Sequence, residues 1–249
     1  RKYFGDGAVE IDCTYPVDGG EHALSDALDD IRNRAEEAVR AGGQHIIMSD
    51  EAQGPDRVPV PMILATSAVH SWLTRKGLRT FCSLNVRSAE CMDPHYFAVL
   101  IGMGATTVNA YLAQDSLADR IRRGLLDQDL STAVMRYREA VNQGLLKIMS
   151  KMGISVISSY RGGMNFEAVG LSRAMCAEYF PGMISRISGI GITGIKKQVE
   201  KVHARGWRKG VEVLPIGGLY KLRRSGETHA WGAQAMHILQ SACDRASFD

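Results

Sequence analysis

The stretch that decides the fold is residues 8–49, which read AVEIDCTYPVDGGEHALSDALDDIRNRAEEAVRAGGQHIIMS. Apolar and polar residues alternate from Ala8 to Cys13, as they do in a half-buried strand. Residues 21–41 carry an apolar stripe at the helical period, and Gly42-Gly43 ends that helix. His45 to Met48 is a short apolar run typical of a strand covered on both faces. A strand, a helix and a strand in this order predict a parallel sheet with a right-handed crossover.

The same alternation continues along the next hundred or so residues. Further strands are predicted to begin near residues 79, 105 and 154, and helices at about 62–75, 94–102, 115–123 and 130–151. The first intervals, of about thirty-five residues, suit a (β/α) barrel, but the units are too few for the eight of a complete one. We therefore predict an α/β fold with a partial (β/α) barrel-like parallel sheet.

The remaining sequence predicts two helices with a loop between them, and then a change in composition. A helix is expected over 165–179, broken near Gly170, followed by a glycine-rich loop from Ser185 to Ile192 and a charged helix over 193–206. From Trp207 the composition resembles a linker. We therefore place a boundary near residue 206, which gives domains at 1–206 and 207–249.

Composition excludes several classes of protein. The chain has 249 residues, of which 45% are hydrophobic and 23% charged, and these are ordinary globular values. The net charge of +3 comes without long Lys/Arg blocks, so no nucleic-acid partner is expected. No apolar run reaches the ~20 residues of a membrane span, and there is no secretory signal. The sequence predicts a cytoplasmic protein with no membrane partner, and the start at Arg1 suggests a segment of a longer polypeptide.

The cysteines argue against a metal centre. The five cysteines are scattered and none forms a Cys-x-x-Cys pair, so reduced thiols are expected and no metal ligands are assigned.

Polar residues follow each predicted strand, at the end where α/β folds bind ligands. These groups are Ser49-Asp50-Glu51, Asn85 with Arg87 and Glu90, Asn109 with Tyr111, and Ser158-Ser159-Tyr160-Arg161. They either line one active site or cap helices and pair with one another at a domain interface. The second interpretation is favoured because no nucleophile and base stand at a recognisable spacing. No catalytic residue is assigned.

Two glycine-containing stretches are candidates for holding a phosphate. Arg161, Gly162 and Gly163 open a predicted helix and could bind an anion through backbone N–H groups. The run from Gly189 to Gly194 also precedes a helix. Structural turns are the favoured alternative for both, because a lone glycine motif is weak evidence. Similarly, His70 lies on an apolar helix and is expected to be a core or interface histidine rather than a base.

Longer motifs carry a resemblance that covers essentially the whole chain. They are Ser49-Asp50, Val58-Pro59-Val60-Pro61, Ala68-Val69-His70, Gly77-Leu78-Arg79-Thr80, His95-Tyr96-Phe97-Ala98, Gly104-Ala105, Asn109-Ala110-Tyr111-Leu112-Ala113, residues 144–155, Ser159-Tyr160-Arg161-Gly162, Phe166-Glu167-Ala168, residues 185–191, Gly217-Gly218-Leu219-Tyr220 and Glu227-Thr228-His229. With these motifs the chain resembles the central domain of the glutamate synthase large subunit. It resembles the second half of that domain, running from about residue 207 into the start of the FMN-binding synthase domain.

The resemblance implies an enzyme, and a role for this segment within it. The family makes glutamate from 2-oxoglutarate and glutamine by reductive transfer of the amide nitrogen, with NADPH or ferredoxin as electron donor, in ammonia assimilation. The resemblance implies an amidotransferase domain and an FMN synthase domain with a 3Fe-4S cluster as partners in the same enzyme. It also allows an NADPH-oxidising small subunit.

By the same resemblance, this segment is a scaffold between those domains that helps to wall the ammonia path. It is related to the FMN-linked barrel but lacks the full flavin site, so it is expected to bind no cofactor and to be inactive alone. Arg161, Gly162 and Gly163 then form either a phosphate contact or an interdomain contact.

Two alternatives remain open. One is a free-standing barrel relic that still binds FMN or phosphate, and the other is an interaction module. Asn85-Val86-Arg87-Ser88 and Ala110 depart from the forms common in the family, which indicates a divergent branch.

Overall fold

The computed structural model of the chain describes residues 5–208, 210, 217 and 221–245. The chain divides into two compact units after Trp207. In the first unit the strands are β1 (Ala8–Asp12), β2 (Thr14–Pro16), β3 (His45–Ser49), β4 (Arg57–Pro59), β5 (Ser83–Arg87), β6 (Thr107–Asn109), β7 (Glu167–Leu171) and β8 (Ile184–Ile190). Its helices are α1 (Ala23–Arg40), α2 (Met62–Arg75), α3 (Pro94–Gly102), α4 (Tyr111–Arg122), α5 (Leu130–Lys151), α6 (Ile157–Tyr160), α7 (Arg173–Tyr179) and α8 (Ile192–Gly206).

The main sheet has four strands in the order β1-β3-β5-β6. All its pairings are parallel, and Met48 of β3 lies between Ile11 of β1 and Val86 of β5. Consecutive residues of β3 (Ile46, Ile47 and Met48) are buried, as expected for a strand covered on both faces, whereas Val9 of β1 is 36% exposed. The predicted partial parallel sheet is therefore confirmed for its first four strands.

Helices α1 and α2 bury the sheet through different surfaces. Helix α1 is amphipathic and packs through a stripe that includes Leu24, Leu28 and Ile31. By contrast, most residues of α2 are buried.

At the start of α3, Pro94 contacts α5 so closely that a Cβ on Gly144 would lie 2.5 Å from Pro94 Cβ.

A second, antiparallel sheet pairs β2 with β4 at the end of β1. The Cys13 N–H donates to Ser49 O, and the Val60 N–H donates to Cys13 O, each at 2.8 Å. Tyr15 of β2 is only 1% exposed. These bonds fix the chain as it leaves β1 at the carboxyl edge of the main sheet.

The predicted strand at 154–157 is wrong. Its apolar residues indicated burial on both faces, yet Val156 is 52% exposed and the short helix α6 begins at Ile157. The segment packs instead through Ile154 and Tyr160, which join Met149 of α5 in a small hydrophobic cluster. A short β-branched sequence is compatible both with a buried strand and with an irregular segment that leads into a helix. Only the residues that it packs against decide between the two.

The predicted helix over 165–179 and the loop from Ser185 are also partly wrong. Strand β7 occupies the first part of that helix, α7 the second, and β8 most of the loop. The two strands pair in parallel with a bulge, where a Cβ on Gly189 would lie 2.1 Å from Gly170 O. The glycines that suggested turns therefore permit a close approach of two strands. The charged helix predicted over 193–206 is confirmed as α8.

The second unit contains one described helix, α9 (Ala233–Arg245), which the linker prediction missed. Parts of the 207–249 segment, including Pro215, Gly218 and Tyr220, lie outside the described residues. The assignment of 1–206 and 207–249 to functional domains stays a prediction. Among the helices described, none is both long and apolar enough to cross a membrane.

Candidate functional site

The carboxyl edge of the main sheet brings four strand ends into one row. Asp12 pairs in register with Ser49, Ser49 with Arg87, and Arg87 with Asn109. The sequence predicted that polar strand ends would meet at one edge, and for β3, β5 and β6 they do. This row is the candidate site.

Asp50 is the centre of the row. It is fully buried, and its carboxylate accepts the Ala89 N–H at 2.9 Å and the Tyr111 hydroxyl at 2.8 Å. The Tyr111 hydroxyl in turn accepts a hydrogen bond from Gln53 Nε2 at 3.0 Å. Burial raises the pKa of Asp50 to about 6, with a further increase from nearby Glu90, although the hydrogen bonds oppose this. Asp50 thus joins the loop after β3 to the loop after β5 and to the start of α4 through one buried carboxyl group.

Glu90 makes a second junction at the same edge. Its Oε2 accepts the Met62 N–H at 3.0 Å, which caps the start of α2, and it also accepts the Tyr96 hydroxyl. Burial raises the pKa of Tyr96, and the Glu90 charge raises it further, so Tyr96 remains a hydrogen-bond donor at neutral pH. This carboxylate therefore holds α2 and α3 together.

The charged residues of the edge pair with one another. Arg87 lies 2.6 Å from Glu51 and 3.7 Å from Glu10. Arg57 lies 2.7 Å from Asp12 across the small sheet. These ion pairs cross-link the edge, and they place no base beside a nucleophile there.

Asn85 does not belong to this edge, although the sequence grouped it there. It lies inside β5, where its amide donates to Ile46 O at 3.2 Å and its Oδ1 accepts the Thr107 hydroxyl at 2.7 Å. The side chain bridges neighbouring strands of the sheet.

A groove of about 450 Å³ lies beside the edge. Its lining residues are Gln53, Pro59 and Glu90 from the edge, and Gln198, Val199, Val202, His203, Gly206 and Trp207 from α8 and its end. His203 is nearly buried, and its Nε2 lies 2.7 Å from Gly54 O, which fixes α8 against the loop after β3. Sequence reasoning did not single out His203 or Trp207. Their spacing of four residues on one helix face was the available signal.

Arg161, Gly162 and Gly163 lie at the opposite, amino edge of the sheet. The Gly162 N–H donates to Ile101 O at 3.0 Å, close to the end of α3, and the Gly163 N–H donates to Tyr160 O at 3.1 Å. The expectation that this loop follows a strand is wrong, because residues 154–157 form no strand.

The backbone of these glycine stretches does not fit a flavin phosphate. A phosphate cradle needs N–H groups directed at the ligand, whereas those of Gly162 and Gly163 already donate within the chain. Gly189 lies inside β8 against Gly170. Within the described residues, no group of three or more His, Cys, Asp or Glu side chains could hold a metal ion.

His70 is bonded within the unit, which fits the core or interface histidine that the sequence predicted. Arg79 Nε donates to His70 Nδ1 at 3.0 Å. Burial, together with the Arg79 charge, lowers the pKa of His70 to about 4. His70 is therefore neutral at physiological pH and accepts a hydrogen bond from arginine.

The fold and the edge together define an incomplete barrel-like α/β domain whose strand-end side chains bind one another. Residues 3–172 match the family model described as the glutamate synthase central domain, and the chain belongs to that family.

Three relatives show how widely the likeness extends. The chain is 59% identical over 249 residues to the NADPH glutamate synthase large chain of Azospirillum brasilense, covering 100% of this chain and 16% of the relative. It is 39% identical over 227 residues to the large chain of Bacillus subtilis, covering 91% and 15%. It is 36% identical over 235 residues to ferredoxin-dependent glutamate synthase 2 of Synechocystis, covering 89% and 15%. The chain therefore spans only a small part of the relatives it matches.

Proposed function

We propose that the chain acts as the central-domain segment of a glutamate synthase, as a scaffold between an amidotransferase domain and an FMN synthase domain. The whole enzyme would transfer the amide nitrogen of glutamine reductively to 2-oxoglutarate and so give glutamate. Family membership and a likeness over the full length of the chain support this proposal.

The single observation that supports the scaffold role is that the polar side chains of the carboxyl edge are already bonded within the unit. Asp50, Glu90 and Arg87 are the side chains an active site would use, and each bonds to another element of the same unit. Such bonds rigidify a surface and hold loops in position. A rigid edge beside an open groove suits a part that positions neighbouring domains and walls the path between them.

Cofactors and further partners follow from the same proposal. FMN and a 3Fe-4S cluster would belong to the synthase domain, and this segment would bind neither. Residues 1–206 would form the central domain and 207–249 the connection to the synthase domain. Relatives are named for NADPH, NADH and ferredoxin as donors, so the donor and any NADPH-oxidising small subunit depend on the rest of the enzyme. The enzyme would act in the cytoplasm.

The scaffold role can be tested in a complete glutamate synthase that contains this segment. The measurement is the ratio of glutamate formed to glutamine hydrolysed, at a temperature where the variants remain folded by circular dichroism. Asp50→Ala should lower the ratio while glutamine hydrolysis persists, because a loosened edge lets ammonia escape. Asp115→Ala, at an exposed position on α4, is the matched control. An unchanged ratio in Asp50→Ala would contradict the scaffold role.

The flavin-binding alternative has a separate test. The purified chain should show no flavin absorbance, and added FMN should keep its full fluorescence. Fluorescence quenching that Gly163→Asp abolishes would instead establish a barrel relic. The hydrogen bonds of Gly162 and Gly163 favour the scaffold over this alternative.

A further inference from the structure

The amino edge of the sheet holds an arginine with no acidic partner. Arg79 precedes β5, and its guanidinium donates to His70 Nδ1, Cys82 O and Gly104 O at 3.0, 2.7 and 2.8 Å. All three acceptors are neutral, since the low pKa of His70 keeps that ring uncharged. In the part of the chain that the structure describes, no carboxylate lies within ion-pair distance of Arg79.

Arg161 is a second arginine without a counter-charge. Its Nε is buried and has no hydrogen-bond acceptor. Its terminal nitrogens make no hydrogen bond or ion pair with any described residue, and they are not among the buried unpartnered atoms, so they reach solvent. The hydrogen bonding of this guanidinium is incomplete, because its buried Nε–H has lost water and gained no acceptor.

The geometry joins the two arginines into one cluster. Gly162, next to Arg161, lies against His70 so closely that a Cβ there would be 3.0 Å from His70 Cε1. His70 in turn accepts the hydrogen bond from Arg79. Burial lowers the pKa of Arg79, and the positive charge of Arg161 lowers it further, so the two guanidinium groups repel. An anion between them would relieve that repulsion.

The surroundings favour a protein carboxylate over a free phosphate. The backbone N–H groups of Gly162 and Gly163, which a phosphate would use, already donate within the chain. Large apolar side chains are also exposed on the segments that carry the two arginines, with Phe81 67%, Val156 52% and Ile157 38% exposed. Arginines that lie close in sequence to exposed apolar side chains are typical of a protein interface.

We propose that Arg79 and Arg161 receive an aspartate or glutamate side chain from a neighbouring domain of the same enzyme, whose apolar residues cover Phe81, Val156 and Ile157. This inference rests on the proposed function, because it assigns one contact of the scaffold. The Azospirillum brasilense large chain is long enough to contain such a domain, since this chain covers only 16% of it.

A zero-length cross-link tests the contact in the full-length polypeptide. In an Arg161→Lys variant, a carbodiimide activates the facing carboxylate and the introduced amine attacks it. An amide bond forms, and the carbodiimide leaves as its urea. Mass spectrometry of the digest should then show the introduced lysine joined to one acidic residue outside residues 1–249. Arg138→Lys, at an exposed position of α5 with no described partner, is the matched control and should give no dominant product.

The outcomes separate this inference from the scaffold role. Cross-links of the Arg161→Lys variant that are as diffuse as those of the control, in a protein that still channels ammonia, would overturn the carboxylate contact alone. If Asp50→Ala leaves the ratio of glutamate formed to glutamine hydrolysed unchanged, while Arg161→Lys gives a defined cross-link, the scaffold role alone is overturned. Unfolding curves of Arg161→Lys and Arg138→Lys show whether both variants are folded.

Inorganic phosphate provides the competing arm. The NMR resonances of the arginine Nε–H groups are followed in the 249-residue chain as phosphate is added to ~20 mM. This concentration is high enough to reveal the weak binding expected of a solvated pair of guanidinium groups. No saturable shift that depends on Arg161 is expected. A saturable shift that Arg161→Gln removes would overturn the carboxylate assignment in favour of a free-anion site.

Discussion

The Tyr111 hydroxyl donates a 2.8 Å hydrogen bond to Asp50, from the first residue of α4 to the loop after β3. The two residues are 61 positions apart in the sequence. The bond holds a carboxyl group in a fully buried place where its charge is costly. The edge of the sheet therefore contains a group whose protonation is coupled to folding.

Asp50→Asn should change how stability depends on pH. Because the pKa of Asp50 is raised from 3.8 to about 6 in the folded protein, its favourable contribution is complete below pH 3.8 and is lost as the pH rises through 6. From pH 4 to pH 7 the free energy of unfolding of the variant should gain up to about 3 kcal/mol relative to the wild type. Urea unfolding at several pH values measures this difference.

Asp115→Asn, which changes an exposed carboxyl group, provides the control for that measurement. Because this carboxyl group is exposed, the Asp115→Asn variant should not show the gain expected of Asp50→Asn. If Asp50→Asn and the wild type give parallel curves, the raised pKa of Asp50 is refuted.

Arg32→Ala should destabilise the first unit by about 3 kcal/mol, because removal of one partner leaves a network unpaired. Arg32 of α1 is 4% exposed and lies 2.7 Å from Glu178 of α7, and its guanidinium carbon is 4.6 Å from the Tyr179 ring centroid. Arg34→Ala, two positions along the same helix but more exposed, should cost no more than about 0.5 kcal/mol. Thermal or urea unfolding would contradict this account if both variants lost equal stability.

Gly104→Ala should cost about 3–5 kcal/mol through strain and overpacking. Gly104 has a φ of +111°, and a Cβ there would lie 2.3 Å from His70 Nδ1. Gly124→Ala is the matched control, since its φ is +67° with no atom within 4 Å, and it should cost only about 1 kcal/mol. Similar losses in urea unfolding would show that His70 moves aside freely.

The cysteines should differ in reactivity. Cys91 is fully buried, and burial, together with Asp93 and Glu90, raises its pKa to about 12, whereas Cys243 is exposed. At pH 8, iodoacetamide should modify Cys243 at least about a hundredfold faster, because the thiolate is the nucleophile. Peptide mass spectrometry of timed samples measures both rates. In urea the rates should converge, and equal rates in the native protein would refute the burial of Cys91.

The agreement between sequence and structure follows the range over which each signal acts. The helix at 130–151 and the strand at His45 depend on periodicity within a few residues, and both were predicted. Strand β7 was predicted as helix because its identity depends on pairing with β8, beyond the intervening α7. Pairing across such a distance leaves no local pattern.

The candidate site divides in the same way. Polar residues after β3, β5 and β6 could be predicted to meet, because parallel strands end at one edge. That Asp50 is buried and bonded to Ala89 and Tyr111 could not be predicted, because hydrogen-bond partners are chosen by loop geometry.

The sequence by itself determined the family, the four strands of the main sheet and the helices between them, because apolar periodicity and long motifs are local properties of the chain. Only the tertiary structure decided that residues 154–163 lie at the amino edge and form no strand of the sheet, because Ile154 and Tyr160 pack on α3 and α5. That arrangement placed Gly162 against His70 and the charge of Arg161 near Arg79. The physical reason is that the burial of a side chain and the charges around it depend on the residues that pack against it in space. The order of residues along the chain does not specify these contacts.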